Sequence, residues 1–401
     1  MTAESIGTIK RNIDELIQYL INSDYKGYDP YDTLNSWFPF NIFGGRWGQI
    51  AAVQFQLRNP VNIRPKLGIK KERGVKSVAL ILQAMSVYYR ADPSEKLLKE
   101  MTGLFEWILS MRLKGEWEGS CWAVHFPLAM KDKSRVRFDP SAVLASFVAE
   151  SLYEYYLSTK DDRVPDVLKG VSEFILAHVP VTERPEGLCY SYTTKVKDMV
   201  FNANSFVAEA FAKTYVLTGE ERFKELSLKA LDFTIHHQKD DGRWTYSMNP
   251  VSGIERELID FHQGFILNSI FDIKNILQLK DNKYDLAIKK GLEYYRKNQF
   301  CDDGSSVWRV PKKYPVDIHN QGVGIMTFSK LSEYDPSYLD FAKKIAEWTD
   351  KHMRNSRDGY YYYLKHRFFT NKISFIRWNQ SWMMMGLSNL YKKLKELQIG
   401  S

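Results

Sequence analysis

Two histidines stand in matching positions of the chain, each beside an acid and an amide: Asp260-Phe261-His262-Gln263 and Asp317-Ile318-His319-Asn320-Gln321. A third polar run, Arg377-Trp378-Asn379-Gln380, fills the same slot one repeat later. An imidazole beside a carboxylate can take up or deliver a proton near neutral pH. The amides and the guanidinium can hold the groups around a reacting atom. A helix N-cap needs one short polar side chain, so capping leaves most of each run unexplained. Arg73, Asp139, Asn202 and Asn204 occupy comparable places earlier in the chain. For Asp139, Asn202 and Asp260 a simple cap remains an open alternative.

Aromatic-rich stretches precede these clusters. They supply Trp117, Glu118, Trp122, His125, Tyr190, Tyr192, Trp244, Tyr246, Glu255, Glu257, Trp308 and Tyr360 to Tyr363. Two chemistries fit. In the first, His262 and His319 act as base or positioning groups. Tyr363 or Tyr246 serves as acid or base once a neighbouring cation lowers its pKa, and Arg377 clamps a substrate carboxylate, with His366 close in sequence. In the second, Asp260 works with Glu257 or Glu118 as the two carboxyls of a hydrolase, which stand about 5 Å apart for retention or roughly 6.5–9.5 Å for inversion. The remaining candidates for substrate contact are Gln263, Asn320, Gln321, Trp378, Asn379, Gln380, Asn202, Asn204, Asp139, Trp244 and Trp122. The N-terminal loop adds Tyr28, Asp29, Tyr31, Asp32, Asn35, Trp37, Arg46 and Trp47, as a lid over the site or a strap on the outside.

The elements that must position these groups are helices. Gly115, Gly187, Gly242, Gly304 and Gly359 each follow an amphipathic helix and open an extended stretch, at intervals of 72, 55, 62 and 55 residues. Self-similarity of this kind marks a repeat architecture. Apolar periodicity predicts helices over 4–22, 74–91, 95–113, 140–159, 163–179, 203–217, 220–238, 260–279, 283–299, 320–332, 336–355 and 379–398. Short junctions join them into antiparallel hairpins. Six helices follow a long link and five partners follow a short one. The first helix supplies the missing sixth partner. The expected fold is all-α: an (α/α)6 toroid of six hairpins, closed by the N-terminal helix, with short extended links at one rim. An open solenoid is the alternative. The chain is expected to form one domain over 1–401, with 23–72 as a long loop or lid.

Composition narrows the function. Hydrophobic residues make up 44% and charged residues 26%, as in ordinary globular proteins. The net charge of +8 favours an anionic partner such as a uronate polymer. The basic residues are dispersed rather than gathered in arms, which argues against nucleic acid. Cys121, Cys189 and Cys301 are isolated, so neither a disulfide framework nor a zinc site is expected. Walker, GxGxxG, GxSxG and HExxH motifs are absent, and no metal or cofactor is expected. The N-terminus does not read as a signal peptide and no apolar run approaches 18 residues, so a cytoplasmic location without a membrane span is expected.

The hairpin and glycine-link pattern resembles the six-hairpin toroid enzymes that act on carbohydrates: glycoside hydrolases, unsaturated-glucuronyl hydrolases, polysaccharide lyases and sugar epimerases. Gln238-Lys-Asp-Asp-Gly242-Arg-Trp244 is similar to the QW repeat of terpenoid cyclases. Their acidic Asp-rich motif is missing, so this run reads as a helix-end and turn device. Tyr363-Leu364-Lys365-His366 followed by Ile376-Arg377-Trp378 resembles the C-terminal segment of D-glucuronyl C5-epimerases, where Tyr-x-Leu-Arg-His precedes Ala-Arg-Trp. The β-rich N-terminal region of that family has no counterpart here. The C-terminal resemblance implies tyrosine-assisted proton abstraction at C5 of a uronate, with Arg377 or His366 neutralising the carboxylate. The chain also resembles toroidal proteins of surface-polysaccharide gene sets. The expected substrate is thus a uronate-containing oligo- or polysaccharide, met by an epimerase or lyase. Glycoside hydrolysis and non-catalytic glycan binding are the alternatives.

Overall fold

A computed structural model describes residues 3–124, 126–129, 134–135 and 139–399; His125 lies outside the described residues. Thirteen α-helices are present among them. They are α1 (Ala3–Asn22), α2 (Arg46–Arg58), α3 (Val75–Ala91), α4 (Glu95–Ser110), α5 (Ala142–Thr159), α6 (Val164–His178), α7 (Phe201–Thr218), α8 (Glu221–His236), α9 (His262–Ile276), α10 (Asn282–Gln299), α11 (Ile318–Lys330), α12 (Ser337–Met353) and α13 (Ser381–Ile399).

Helices α3, α5, α7, α9, α11 and α13 touch in that order, and α13 returns to α3, so the ring closes. This is an (α/α)6 toroid and not an open solenoid. The inner helices are covered on both sides, and their sequences reflect it: Ala142 to Ala149 of α5 are all buried. The outer helices bury one stripe, as with Phe223, Ser227, Ala230, Leu231 and Thr234 of α8. α1 fills the sixth outer position against α13. Asn12 donates to Asp350 of α12 (3.0 Å), and Asp14 accepts from Tyr88 of α3 (2.9 Å).

The repeat glycines explain how the links attach. Gly242 has φ +94°, and a Cβ there would collide with the Lys290 carbonyl of α10. Gly187, Gly304 and Gly359 meet carbonyls of α8, α12 and α1 in the same way. In the first link the equivalent residue is Gly119, which lies against the Gly170 carbonyl of α6. Gly115 has open space around it. The sequence-based assignment of Gly115 is therefore corrected by four residues. Gln238 donates to Gly242 O and Ala287 O, both at 2.9 Å, joining a helix end, its turn and the next outer helix.

The barrel interior is not wholly apolar. Glu150 of α5, Glu209 and Lys213 of α7, Asp272 of α9 and Lys330 of α11 form one ion network. It borders a space of about 490 Å³ whose other walls include Phe147, Phe206, Phe265 and Trp382. Glu150, Glu209 and Asp272 are close enough to share a cation, but Lys213 and Lys330 already pair with them.

Residues 23–72 are more structured than expected. They hold α2 and three 3-10 turns (Asp32–Asn35, Phe40–Ile42, Arg64–Leu67). The segment leaves and returns through Gly27 and Glu72, which exchange backbone hydrogen bonds of 3.1 Å. No helix among the described residues is long and apolar enough to cross a membrane.

Candidate functional site

The links pair as small sheets at one rim. Val316–Asp317, Leu364–Lys365 and Thr370–Asn371 form one, and Met199–Val200, Ser247–Met248 and Glu255–Arg256 another. They fix where α9, α11 and α13 begin. A five-residue π-turn, Ile376–Gln380, precedes α13 and carries Arg377 and Trp378; such turns are often found at functional sites.

Both histidines reach this rim and share one aromatic stack. Phe261 lies 4.4 Å from His262 and 4.1 Å from His319, centroid to centroid. The opposite face of His319 meets Trp382 at 4.7 Å, and Trp378 presents its edge at 4.5 Å. His319 is 3% exposed, and neither of its ring nitrogens has a hydrogen-bond partner. Burial holds its pKa well below the usual imidazole value, helped by Lys76 and Arg377, so the ring is neutral. A buried polar group without a partner is rare enough to need a reason, and a ligand hydroxyl would supply one.

His262 is differently placed. Its Nδ1 is bonded to Asp260 Oδ1, which also receives the His262 backbone N–H at 3.3 Å. A carboxylate on Nδ1 holds the proton there and leaves Nε2 as the basic nitrogen. Tyr246 packs edge-on at 4.9 Å. Arg309 Nε lies 3.7 Å from the other Asp260 oxygen. Asp317 caps α11 by accepting the His319 backbone N–H (3.0 Å), and it also accepts from Trp378 Nε1 (2.9 Å). Burial pushes its carboxyl up to about 7, with Asp260 adding to the effect. The rim thus carries an Asp-His dyad, a neutral histidine and a carboxyl that keeps its proton to near neutrality.

Several sequence expectations are revised. Arg377 is held bidentately by Asp29, with Nη2–Oδ1 at 2.8 Å, so its charge is already matched from the N-terminal segment. Tyr363 is buried, and burial holds its phenol well above the ordinary value, which favours the protonated form. The backbone of Tyr363 joins Ile318 and Asn371. Glu257 is 67% exposed and pairs with Arg243, and Glu118 is also exposed, which removes both as buried partners for Asp260. His366 stacks on Phe369 in the neighbouring turn.

The amides prove to be scaffold. Gln263 accepts the Trp244 N–H (2.9 Å) and donates to the Trp244 carbonyl (2.6 Å). Gln380 does the same to Tyr361, at 2.9 and 2.8 Å. Gln321 accepts from Ser306 N (2.8 Å) and donates to Thr349 (2.8 Å), and Asn204 clamps Tyr190 and Leu188. Each amide ties the start of an inner helix to the link just past a repeat glycine. Asn320 and Asn379 donate to link carbonyls, at 2.7 Å to Val307 and 3.0 Å to Tyr361. Trp244 and Trp122 are fully buried, each donating to the carbonyl of the outer helix before it. Asp139 pairs with Lys195 at 2.6 Å. Asn202 is buried with Oδ1 unpartnered. Arg46 and Trp47 lie on the exposed side of α2.

The N-terminal segment brings further groups to the rim. Tyr31 meets the edge of Trp378 at 5.8 Å, and Arg64 and Asp32 form a buried pair of 2.6 Å beneath it. A cleft of about 360 Å³ opens at this rim, lined by Tyr28, Asp29, Glu72, Lys76, Phe126 and Arg377. The crowding of Tyr, Asp and Trp in 28–47 was the signal for this docking, while Phe261 and Arg309 carried none.

No family model matches the sequence, and no curated protein matches it. Solved structures do. Cellobiose 2-epimerase from Bacillus thermoamylovorans superposes with a TM-score of 0.64 at 16% identity, over 81% of this chain and 88% of that one. An unsaturated glucuronyl hydrolase specific for heparin gives 0.65 at 11% identity, over 98% of both chains. A GH76 alpha-mannanase from Bacteroides thetaiotaomicron gives 0.62 at 12% identity, over 80% and 87%. At these identities the likeness establishes the toroid fold.

Proposed function

We propose that this protein is a carbohydrate-active enzyme that removes and returns a proton at a sugar carbon next to a carbonyl or carboxylate, in the manner of an epimerase. The observation that carries the reading is the His262–Asp260 dyad beside the unpartnered, neutral His319. His262 Nε2 is the base. Asp260 steadies the imidazolium that forms, and Arg309 stands behind that carboxylate. His319 and the protonated Asp317 supply hydrogen bonds to the oxygen on which charge develops. Trp378 and Tyr31 offer flat faces for the sugar ring. Toroids of this kind include proteins named as epimerases, which accords with the reading.

Lys76 lines the cleft beside Arg377, and Arg309 flanks Asp260, so a uronate carboxylate entering the rim would meet positive charge. An anionic substrate and a neutral aldose therefore both belong in the assay. The protein is incubated with a panel of reducing oligosaccharides and uronate oligomers, and the products are read by NMR. An epimerised or isomerised sugar supports the proposal. New reducing ends without inversion would replace it with hydrolysis. That second reading is favoured by one observation, the buried acids Asp260 and Asp317 on adjacent inner-helix starts. Sugar binding without any product would make the toroid a glycan-binding protein.

A further inference from the structure

Helix α2 is turned inside out. Its solvent side is formed by Trp47, Ala51, Phe55 and Arg58, spaced as one helical face, while Val53 and Gln56 are buried. Trp47 is 67% and Phe55 62% exposed. The turn before the helix adds Trp37, Ile42 and Phe43, and the turn after it adds Val61, each more than 60% exposed. A folded protein seldom presents so many large apolar groups from one short segment without a partner. Charge is equally one-sided: between Asp32 and Glu72 the sequence has no acid but contains Arg46, Arg58, Arg64, Lys66, Lys70 and Lys71. Arg64 is consumed by Asp32, and the other five are exposed.

We infer that α2 and its flanking turns are a docking surface for an anionic lipid bilayer. Tryptophan and phenylalanine on one helix face, ringed by lysine and arginine, match the interfacial zone of a membrane, where apolar rings enter the acyl boundary and basic groups meet lipid phosphates. The complete lack of acids over this stretch is the charge complement of such a surface. A second copy of the chain would bring the same five cations face to face, which disfavours self-association. The segment is tied to the catalytic rim through Asp29 with Arg377 and through a backbone bridge between Tyr28 and Phe375. Docking would therefore hold the rim close to glycans carried on the membrane.

The full-length protein is sedimented with vesicles of phosphatidylcholine, with and without phosphatidylglycerol. It should bind the anionic vesicles at least tenfold more tightly. Binding should weaken as salt is raised from about 0.1 to about 1 M, where the screening length shrinks from about 10 to about 3 Å. The double substitution Trp47→Gln and Phe55→Gln should cost at least tenfold in vesicle binding with an unchanged melting temperature, because both side chains are exposed. Lys70→Gln with Lys71→Gln should reduce binding to anionic vesicles only. Three results would overturn the inference: no binding to either vesicle, equal binding to both, or a dimer that Trp47→Gln and Phe55→Gln convert to monomer while vesicles stay unbound. The last would assign the face to a second copy of the chain.

Discussion

Asp317 links the chemistry of the rim to the stability of the fold. An unfolded carboxyl of this type titrates near about 3.9, whereas burial raises Asp317 to about 7. The folded state therefore holds this proton more tightly. The stabilisation it provides is complete below about pH 3.9 and is lost as pH rises through about 7. Asp317→Asn removes the titration, and its amide oxygen can still accept from His319 N and Trp378 Nε1. Urea unfolding should show the variant more stable by on the order of 2–4 kcal/mol at about pH 8 and little changed at about pH 4. Turnover should persist above about pH 7, because the Asn amide N–H still donates where the carboxyl has given up its proton. Equal stability at both pH values would remove the buried proton from the account. His319 has the opposite sign: its depressed pKa means that the unfolded chain takes up a proton first, so stability falls as pH drops below about 6.5. A histidine NMR titration should find this ring still neutral at pH values where an exposed imidazole has taken up its proton.

The two histidines were legible at this scale because they recur at one repeat position. The fate of Arg377 was not. Its partner Asp29 lies 348 residues away, and nothing local to Arg377 announces a matched charge. For Tyr363 the sequence suggested a cation that would lower its pKa, but burial dominates and raises it.

Among the elements, the glycine and the amide act together. The glycine lets each link lie on the next outer helix, and in the four later links a glutamine or asparagine near the start of the following inner helix fastens it. Gly119→Ala puts a methyl group onto the Gly170 carbonyl at φ +77°. It should cost about 3 kcal/mol or more in thermal or urea unfolding, whereas Gly115→Ala, strained but in open space, should cost about 1 kcal/mol. Gln380→Ala leaves the buried Tyr361 N–H unpaired and should cost about 1–3 kcal/mol. Helix boundaries came through the sequence within a few residues, because both the one-sided and the fully apolar patterns are strong. The one helix not foreseen was α2, whose apolar residues face solvent and so follow no core-facing period. The amide runs looked catalytic because a sequence does not display the backbone groups they satisfy.

At the scale of the whole molecule, six inner helices close into a ring whose interior carries charge. Lys213 joins Glu150 and Glu209 across α5 and α7, and burial lowers its pKa to about 7. Lys213→Met leaves the buried Glu209 and the half-buried Glu150 without this cation and should destabilise the protein by about 3–5 kcal/mol in urea unfolding. A neutral result would mean that the network is a solvated lining and not a fastening of the ring. Closure itself was countable in the sequence as six link-following helices and five partners completed by the first. The meeting of their N-termini at one rim is what brings residues as distant as Tyr31, His262, His319 and Trp378 together.

Proton removal by the Asp260–His262 dyad should leave its mark as solvent deuterium carried into the sugar. The protein is incubated in D₂O with reducing oligosaccharides and uronate oligomers, and deuterium is located by NMR. Incorporation is expected at the carbon beside the carbonyl or carboxylate, lost by at least a factor of about 100 in His262→Gln while sugar binding persists. Product formed without deuterium, or exchange that survives His262→Gln unchanged, would contradict proton removal by the dyad.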